Sequence, residues 1–299
     1  MKNSFSILLY SIGFTFFFTG CNGNTTKKNN LFGERQLTED FKTYWFAGEA
    51  EITSYTLEQS RYNEPRTGNA VLIYVTEDFV PDLQVKADAK DDSNIPVLKL
   101  NATKNFLTGI YPYSIMQSTF LPLQGNSHAL KITASIQEWC GQVFMQLNNR
   151  NGFEVVSHSY FQEEADQTLT LPKTYLENEV WVQLRVDPNQ LPVGEFEMIP
   201  SMEYIRLAHI NIEAYNVKAE FYQDGKWSVY QISYPLLQRE LRICYEQNFP
   251  YSIEKWEEIT INNGEKNKTT ATKMASIKSA YWSKNSNKDL PLRDNLNLN

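Results

Sequence analysis

Cysteine is scarce: the 299-residue chain holds three, Cys21, Cys140 and Cys244, so it carries no disulfide framework of the kind that staples small secreted domains. Histidine is equally scarce, and His128, His158 and His209 lie too far apart to show metal-ligand spacing, so the sequence calls for no metal and no cofactor. Glycine and proline, 13 and 12 residues, are spread thinly and leave no linker that would divide the chain. No Gly-x-Ser-x-Gly, His-Glu-x-x-His, phosphate loop or dinucleotide fingerprint occurs, and no fixed-period repeat. Cys140 with His158 or His209 lacks a local signature for nucleophilic catalysis, and Glu163, Glu164 and Asp166 are a cluster that 35 acidic residues produce by chance. The expectation is a protein that is not an enzyme.

One apolar run exists. Met1-Lys2-Asn3 is followed by an uncharged stretch from Ile7 to Phe18, about a dozen residues against the roughly 20 that a membrane-spanning helix needs, so residues 1–20 read as a signal peptide. Phe18-Thr19-Gly20-Cys21 closes it and resembles the bacterial lipobox, which implies cleavage before Cys21 and acylation of its thiol. With about 0.8 kcal/mol per buried methylene and more than one chain attached, such an anchor is effectively permanent. Residues 21–30 are polar and read as a flexible tether. The tether lacks the acidic residues that surface-exported lipoproteins of the Bacteroidota carry, which places the protein in the cell envelope, on the outer membrane facing the periplasm.

Removing residues 1–20 takes away Lys2 alone among the charges and leaves 27 basic against 35 acidic residues, a net of −8 that argues against nucleic acid as a partner. Residues 264–299 hold seven basic and three acidic residues. Residues 263–299 therefore read as a polar basic tail, disordered to Ser279, whose end docks on the body through Ala280-Tyr281-Trp282 and Leu290-Pro291-Leu292.

Between tether and tail the pattern is that of strands. Thr38-Glu39-Asp40 caps a short helix within Leu31–Lys42, and Tyr44–Leu57 and Ala70–Thr76 form a hairpin across a polar loop, Arg61 to Gly68. Leu83–Ala87, Val97–Ala102, Ile110–Phe120, Leu130–Gln137 and Gln142–Leu147 continue the alternation. Pro172–Asn178 suits one helical turn, Val180–Val186 a strand, and strands are expected near 203–213, 215–222, 227–234, 238–246 and 251–261, with Asp224-Gly225 as a tight turn. His209 would then share a strand face with Ile205 and Leu207. The fold class is all-β: residues 31–262 as a large antiparallel curved sheet, a half-barrel meander with a few short helices, with a two-sheet sandwich as the alternative.

The arithmetic of cysteines allows a bridge between Cys140 and Cys244, which in the chain-entropy model contributes on the order of 4–5 kcal/mol. Alternation argues against it, since Cys140 falls on the apolar face and Cys244 shares a face with Glu240, Arg242 and Glu246. With 17 Tyr and 17 Phe, aromatics are in excess. If the sheet curls without closing, Tyr111, Tyr113, Trp139, Phe144, Trp181 and Trp227 line an apolar groove for a lipid or acyl chain; in a sandwich the same side chains are core.

The segments Thr43–Glu51, Gln137–Gly141 and Phe249–Trp256 resemble a family of Bacteroidota lipoproteins that sometimes carry the label "septum formation inhibitor", although the Ser-Pro-Arg-Arg type motif of the nucleotide pyrophosphatases of that name is missing. The meander from Leu241 to Ile253 is similar in style to envelope proteins of the LolA type, which implies a concave face that holds acyl chains. The expected partners are the membrane, through the lipid anchor, and a hydrophobic ligand; the alternative is a structural or assembly role through contacts with other envelope proteins.

Overall fold

The structure, a computed structural model, describes residues 32–262 and 264–298. The expected signal peptide, Cys21 and the expected tether lie outside them. After a short helix α1 (Glu39–Trp45) come β1 (Ala50–Arg61), β2 (Glu64–Val80), β3 (Val85–Lys86), β4 (Ile95–Thr108) and β5 (Tyr111–Pro122). They are followed by β6 (Lys131–Glu138), β7 (Gly141–Asn149), β8 (Phe153–Ser159), β9 (Gln167–Leu171) and β10 (Tyr175–Leu176). Helix α2 (Glu177–Val186), β11 (Gly194–Ile199) and helix α3 (Met202–Ala208) lead to β12 (Tyr215–Asp224), β13 (Trp227–Tyr234), β14 (Arg239–Tyr245), β15 (Ile253–Asn262) and β16 (Glu265–Ser279).

Among the described residues sixteen strands form one sheet that does not close, so the fold is the expected all-β meander and not the two-sheet sandwich. The order is β10-β11-β12-β13-β14-β15-β16-β1-β2-β4-β5-β6-β7-β8-β9, with β3 beside β2. Every pairing is antiparallel except the short one between β10 and β11. The alternation that makes the strands legible is the reason they stand: inward residues such as Leu57, Leu72, Leu100, Ile115, Ile132 and Met145 form one buried cluster. Each contributes roughly 1.5–3 kcal/mol on leaving water.

Curvature follows from what α2 touches. Its Glu177 reaches Arg239 on β14 and its Asn178 reaches Gln117 on β5, strands six spacings apart, or about 29 Å on a flat sheet. A helix about 10–12 Å wide can meet both only if the sheet curls around it. At the seam the sheet's two ends meet through rings instead of a hydrogen-bond ladder: His128 lies 5.4 Å from Phe153 on β8 and 6.2 Å from Tyr175 on β10.

Several expected elements need correction. Val180–Val186 is the body of α2, whose Val180, Val182 and Leu184 do recur at a period of two. It is a helix because burial on all sides removes the need for an amphipathic stripe, and its ends carry helix signals: Glu177 and Glu179 in the first turn, Arg185 in the last, and a Glu179 carboxylate that accepts from Leu176 N at 3.0 Å. The helical turn expected at Pro172–Asn178 is mostly extended and supplies β10. The strand expected at 203–213 is α3, opened by Ser201, whose hydroxyl accepts from Tyr204 N, and closed by His209 in the left-handed conformation. Finally, the polar tail is a strand for most of its first half: β16 pairs with both β15 and β1 in the middle of the sheet.

The loop expected at Arg61–Gly68 is a two-residue turn, with Tyr62 and Asn63 both at positive φ, and the strands run on to either side of it. The helix cap is found at Thr38, which accepts from Phe41 N at 3.1 Å. The chain's end does dock, on the convex face: Tyr281 packs there as expected, and Leu296 and Leu298, which were not expected to, are buried with Ala50, Ile52, Val71 and Val75. Trp282 and Leu290 stay exposed.

Candidate functional site

The interior is not filled at one end. Between the concave sheet, the first turns of α2 and the whole of α3 lies a chamber of about 350 Å³ that reaches the β1–β2 and β15–β16 turns, where Tyr62, Asn63 and Asn262 line it and are exposed. Its wall is built by polar residues at inward positions of otherwise apolar strand faces. On β4 the face of Leu98, Leu100 and Ala102 continues to Lys104, on β5 that of Tyr113 and Ile115 to Gln117, and on β1 that of Tyr55 and Leu57 to Gln59.

Two ionic networks brace the wall. Glu177, at the start of α2 and 1% exposed, pairs with Arg239 through both carboxylate oxygens, one at 2.7 Å, and accepts from the Tyr234 hydroxyl at 2.7 Å. Burial alone would raise the Glu177 carboxyl, but the Arg239 charge and the hydrogen bonds outweigh it and hold the group below the usual carboxylate range. Arg239 also bonds Glu258 at 2.5 Å and lies 4.0 Å over the Tyr204 ring. Burial pushes the Tyr204 phenol up to about 12 although Arg239 opposes it. In the second network Lys104 holds Glu203 at 2.6 Å, and Gln117 joins α3 to α2 by donating to Glu203 at 2.9 Å while accepting from Asn178 at 2.9 Å. The floor is aromatic: Trp181 of α2 and Trp256 of β15 meet edge to face at 5.3 Å.

Of the six aromatic residues expected to share a groove, Tyr111 links Tyr113, 6.0 Å away, to Trp139, 6.4 Å away, while Phe144, Trp181 and Trp227 lie apart from them. Trp181 lines the chamber. Tyr113 is buried, stacks on Phe106 at 4.9 Å and shares a hydroxyl contact of 3.0 Å with Tyr62. Tyr111 is half-buried near Trp139, which sits in the β6–β7 turn, 69% exposed. Phe144 faces solvent on β7, and Trp227 begins β13 at the opposite end of the sheet under Lys226. Period-two alternation cannot report which strands a curled sheet turns toward each other.

The cysteines are unbridged, Cys140 exposed and Cys244 buried, so the Cys140–Cys244 disulfide is not formed. Seven strands separate β14 from β7 along the sheet, and the two residues sit at opposite strand ends, whereas a bridge needs Cα atoms within about 7 Å. Cys140 lies in a turn and not on the apolar face expected of it, whereas Cys244 keeps the face of Glu240 and Arg242, as expected, and is buried there. Cys140, His158 and Asp166 share a shallow surface depression, with His158 Nδ1 3.3 Å from Asp166. A hydrogen bond to Glu138 and that carboxylate's charge push the Cys140 thiol up, the opposite of an activated nucleophile. His209 Nδ1 lies 2.6 Å from Glu164, and its Nε2 lies 3.2 Å from Arg206. Among the described residues no group of His, Cys, Asp and Glu is arranged to hold a metal ion, and no helix is long and apolar enough to cross a membrane.

No protein-family model and no curated protein matches the chain. Among solved structures, a porin-like protein from Bacteroides uniformis aligns over 75% of this chain and 96% of its own at 7% identity, with a TM-score of 0.17, too low to carry an argument about fold or function.

Proposed function

We propose that this is a non-enzymatic binding protein of the cell envelope, lipid-anchored through Cys21 and facing the periplasm, which holds a small ligand in the chamber beside α2 and α3. The carrying observation is the chamber itself: about 350 Å³ left open inside the curl of the sheet, within the range of small-molecule sites, with one end at solvent. Its carboxylates Glu177 and Glu203 are held by Arg239 and Lys104 on the walls, which suits a rigid receptor better than a proton-transfer site. Much of the wall is polar, so a purely aliphatic occupant would leave amides and hydroxyls unmatched. The export segment and Gly20-Cys21 support the location; the Cys21→Ser form should be found soluble after fractionation, and unchanged membrane retention would count against the anchor.

Native mass spectrometry of residues 32–299 after mild purification tests the site. Recovery or uptake of a small molecule, abolished when Ala102→Phe fills the chamber without unfolding the protein, is the expected result. An empty protein that takes up no ligand of any class overturns the reading. A second reading, an assembly protein, draws on the exposed Leu107 at the end of β4 and on the exposed Ile110, Trp139 and Tyr160 in the β4–β5, β6–β7 and β8–β9 turns, all at the same end of the sheet. It predicts that Ile110→Asp with Trp139→Asp removes co-purifying envelope proteins while leaving the fold intact.

A further inference from the structure

We propose that the chamber takes a neutral polyhydroxyl ligand, a sugar of one or two rings; this rests on the reading of the chamber as the binding site. Charge argues first. The wall carries three cations, Arg61, Lys104 and Arg239, and three carboxylates, Glu177, Glu203 and Glu258. They are matched with each other or with backbone: Arg239 with Glu177 and Glu258, Lys104 with Glu203, and Arg61 with Leu207 O at 2.7 Å. An anionic ligand, such as a fatty acid or a phosphate, that took up Arg239 or Lys104 would have to displace a carboxylate already paired there and leave it facing the ligand, a cost that a neutral ligand avoids.

Hydrogen bonding argues second. Gln59 is 4% exposed, and while its amide nitrogen donates to Thr269 at 3.1 Å, its amide oxygen has no donor among the described residues. Gln59 lines the chamber, and a small turn of its amide presents that oxygen to a ligand hydroxyl, whereas an alkyl chain offers it no donor. Lys104, with three donors, spends one on Glu203, and the Thr260 hydroxyl also faces the chamber. Hydroxyl groups that both donate and accept can meet acceptor and donor at once. The floor completes the match, because a sugar ring presents a C–H face to Trp181 and Trp256 while its edge carries the hydroxyls. The volume, worth about a dozen waters, suits one or two such rings.

The test is intrinsic tryptophan fluorescence and calorimetry of residues 32–299 against glucose, galactose, N-acetylglucosamine and maltose, with palmitate and inorganic phosphate as charged probes. At least one sugar should bind saturably at millimolar concentration or better. Gln59→Leu and, separately, Thr260→Val should each weaken it by about tenfold, 1.4 kcal/mol, with unchanged circular dichroism. The Thr260→Val variant covers the case in which the buried Gln59→Leu fails to fold. If palmitate or phosphate binds in a manner blocked by Ala102→Phe and no sugar does, the sugar assignment falls and the binding site stands. If no probe binds, and native mass spectrometry finds the chamber empty, both fall.

Discussion

Glu51 on β1 and Arg185 in the last turn of α2, 134 residues apart, form a buried two-point ion pair with both N–O distances at 2.7 Å. Arg185 is 1% exposed; its guanidinium also donates to Pro250 O at 2.8 Å and lies 4.7 Å over the Tyr74 ring. Together with Glu177–Arg239 it pins α2 at both ends to strands on one half of the sheet, while Glu179 fixes the other half by accepting from Ala129 N at 2.8 Å. The helix that the chamber depends on is therefore held by directional polar contacts as well as by Val180, Val182 and Leu184 in the core.

Breaking one partner of this pair should cost far more than replacing both. Glu51→Ala leaves the Arg185 charge buried and unpaired, and the expected loss is about 3–5 kcal/mol, read as a lowered urea midpoint. The double variant Glu51→Ala with Arg185→Met removes the stranded charge and should be less destabilised than Glu51→Ala alone. A loss under about 1 kcal/mol for the single variant would mean that the pair does not hold the helix.

Acid should loosen the same contacts. In Glu51 burial would raise the carboxyl, but Arg185, the Tyr44 hydroxyl and Lys273 prevail and lower it from 4.5; Glu177 is lowered likewise against its burial, chiefly by Arg239. A folded value below the unfolded one means stabilisation that is full above the unfolded value and disappears as pH falls through the folded value. Thermal unfolding should thus vary little on account of these groups from neutral pH down to about 5 and weaken below about 4.5. Glu51→Gln should lose some of that acid dependence, and an acid profile identical to that of the parent would contradict the assignment.

The end of the chain offers a sharper contrast. Because β16 is hydrogen-bonded to β15 on one side and β1 on the other, deleting residues 264–299 removes a central strand and exposes two edges; the expected product is unfolded or aggregated. Deleting residues 280–299 removes the cover that Tyr281, Leu296 and Leu298 give to the cluster of Ala50 and Ile52, together with the bond from the Ser54 hydroxyl to Leu296 O. That shorter deletion should fold and melt a few degrees lower. Equal behaviour of the two would show that β16 is dispensable.

Those same elements show what the sequence could and could not disclose. Strands such as β6 and β13 are legible because one face is core and the other water, so Ile132, Ala134 and Ile136 stand out against Lys131, Thr133 and Ser135. β16 is hidden because Lys266, Lys268 and Lys273 read as a solvated tail, whereas they sit at strand positions where Lys268 meets Glu257 and Lys273 meets Glu254. α2 escapes notice because a helix buried all round loses the period that identifies helices, and its polar residues are matched by partners more than 50 residues away. The chamber leaves one trace in the sequence: Gln59, Lys104 and Gln117 each interrupt an apolar period-two face, and only the curl of the sheet brings the interruptions together.

The two cysteines of residues 32–299 give the last prediction. A thiol reagent applied to the native protein should modify one group, Cys140, since it lies exposed in the β6–β7 turn, while Cys244 at 3% exposure reacts only after denaturation. The reacting species is the thiolate, and Cys140 is held toward its protonated form by the hydrogen bond to Glu138 and by that carboxylate's charge. Cys140 should therefore react more slowly at neutral pH than a free thiol in an unfolded peptide, and Glu138→Gln should speed it up. In denaturant two thiols should titrate without any reductant. Fewer than two would reveal a bridge, and two fast-reacting groups in the native state would mean that β14 does not bury Cys244.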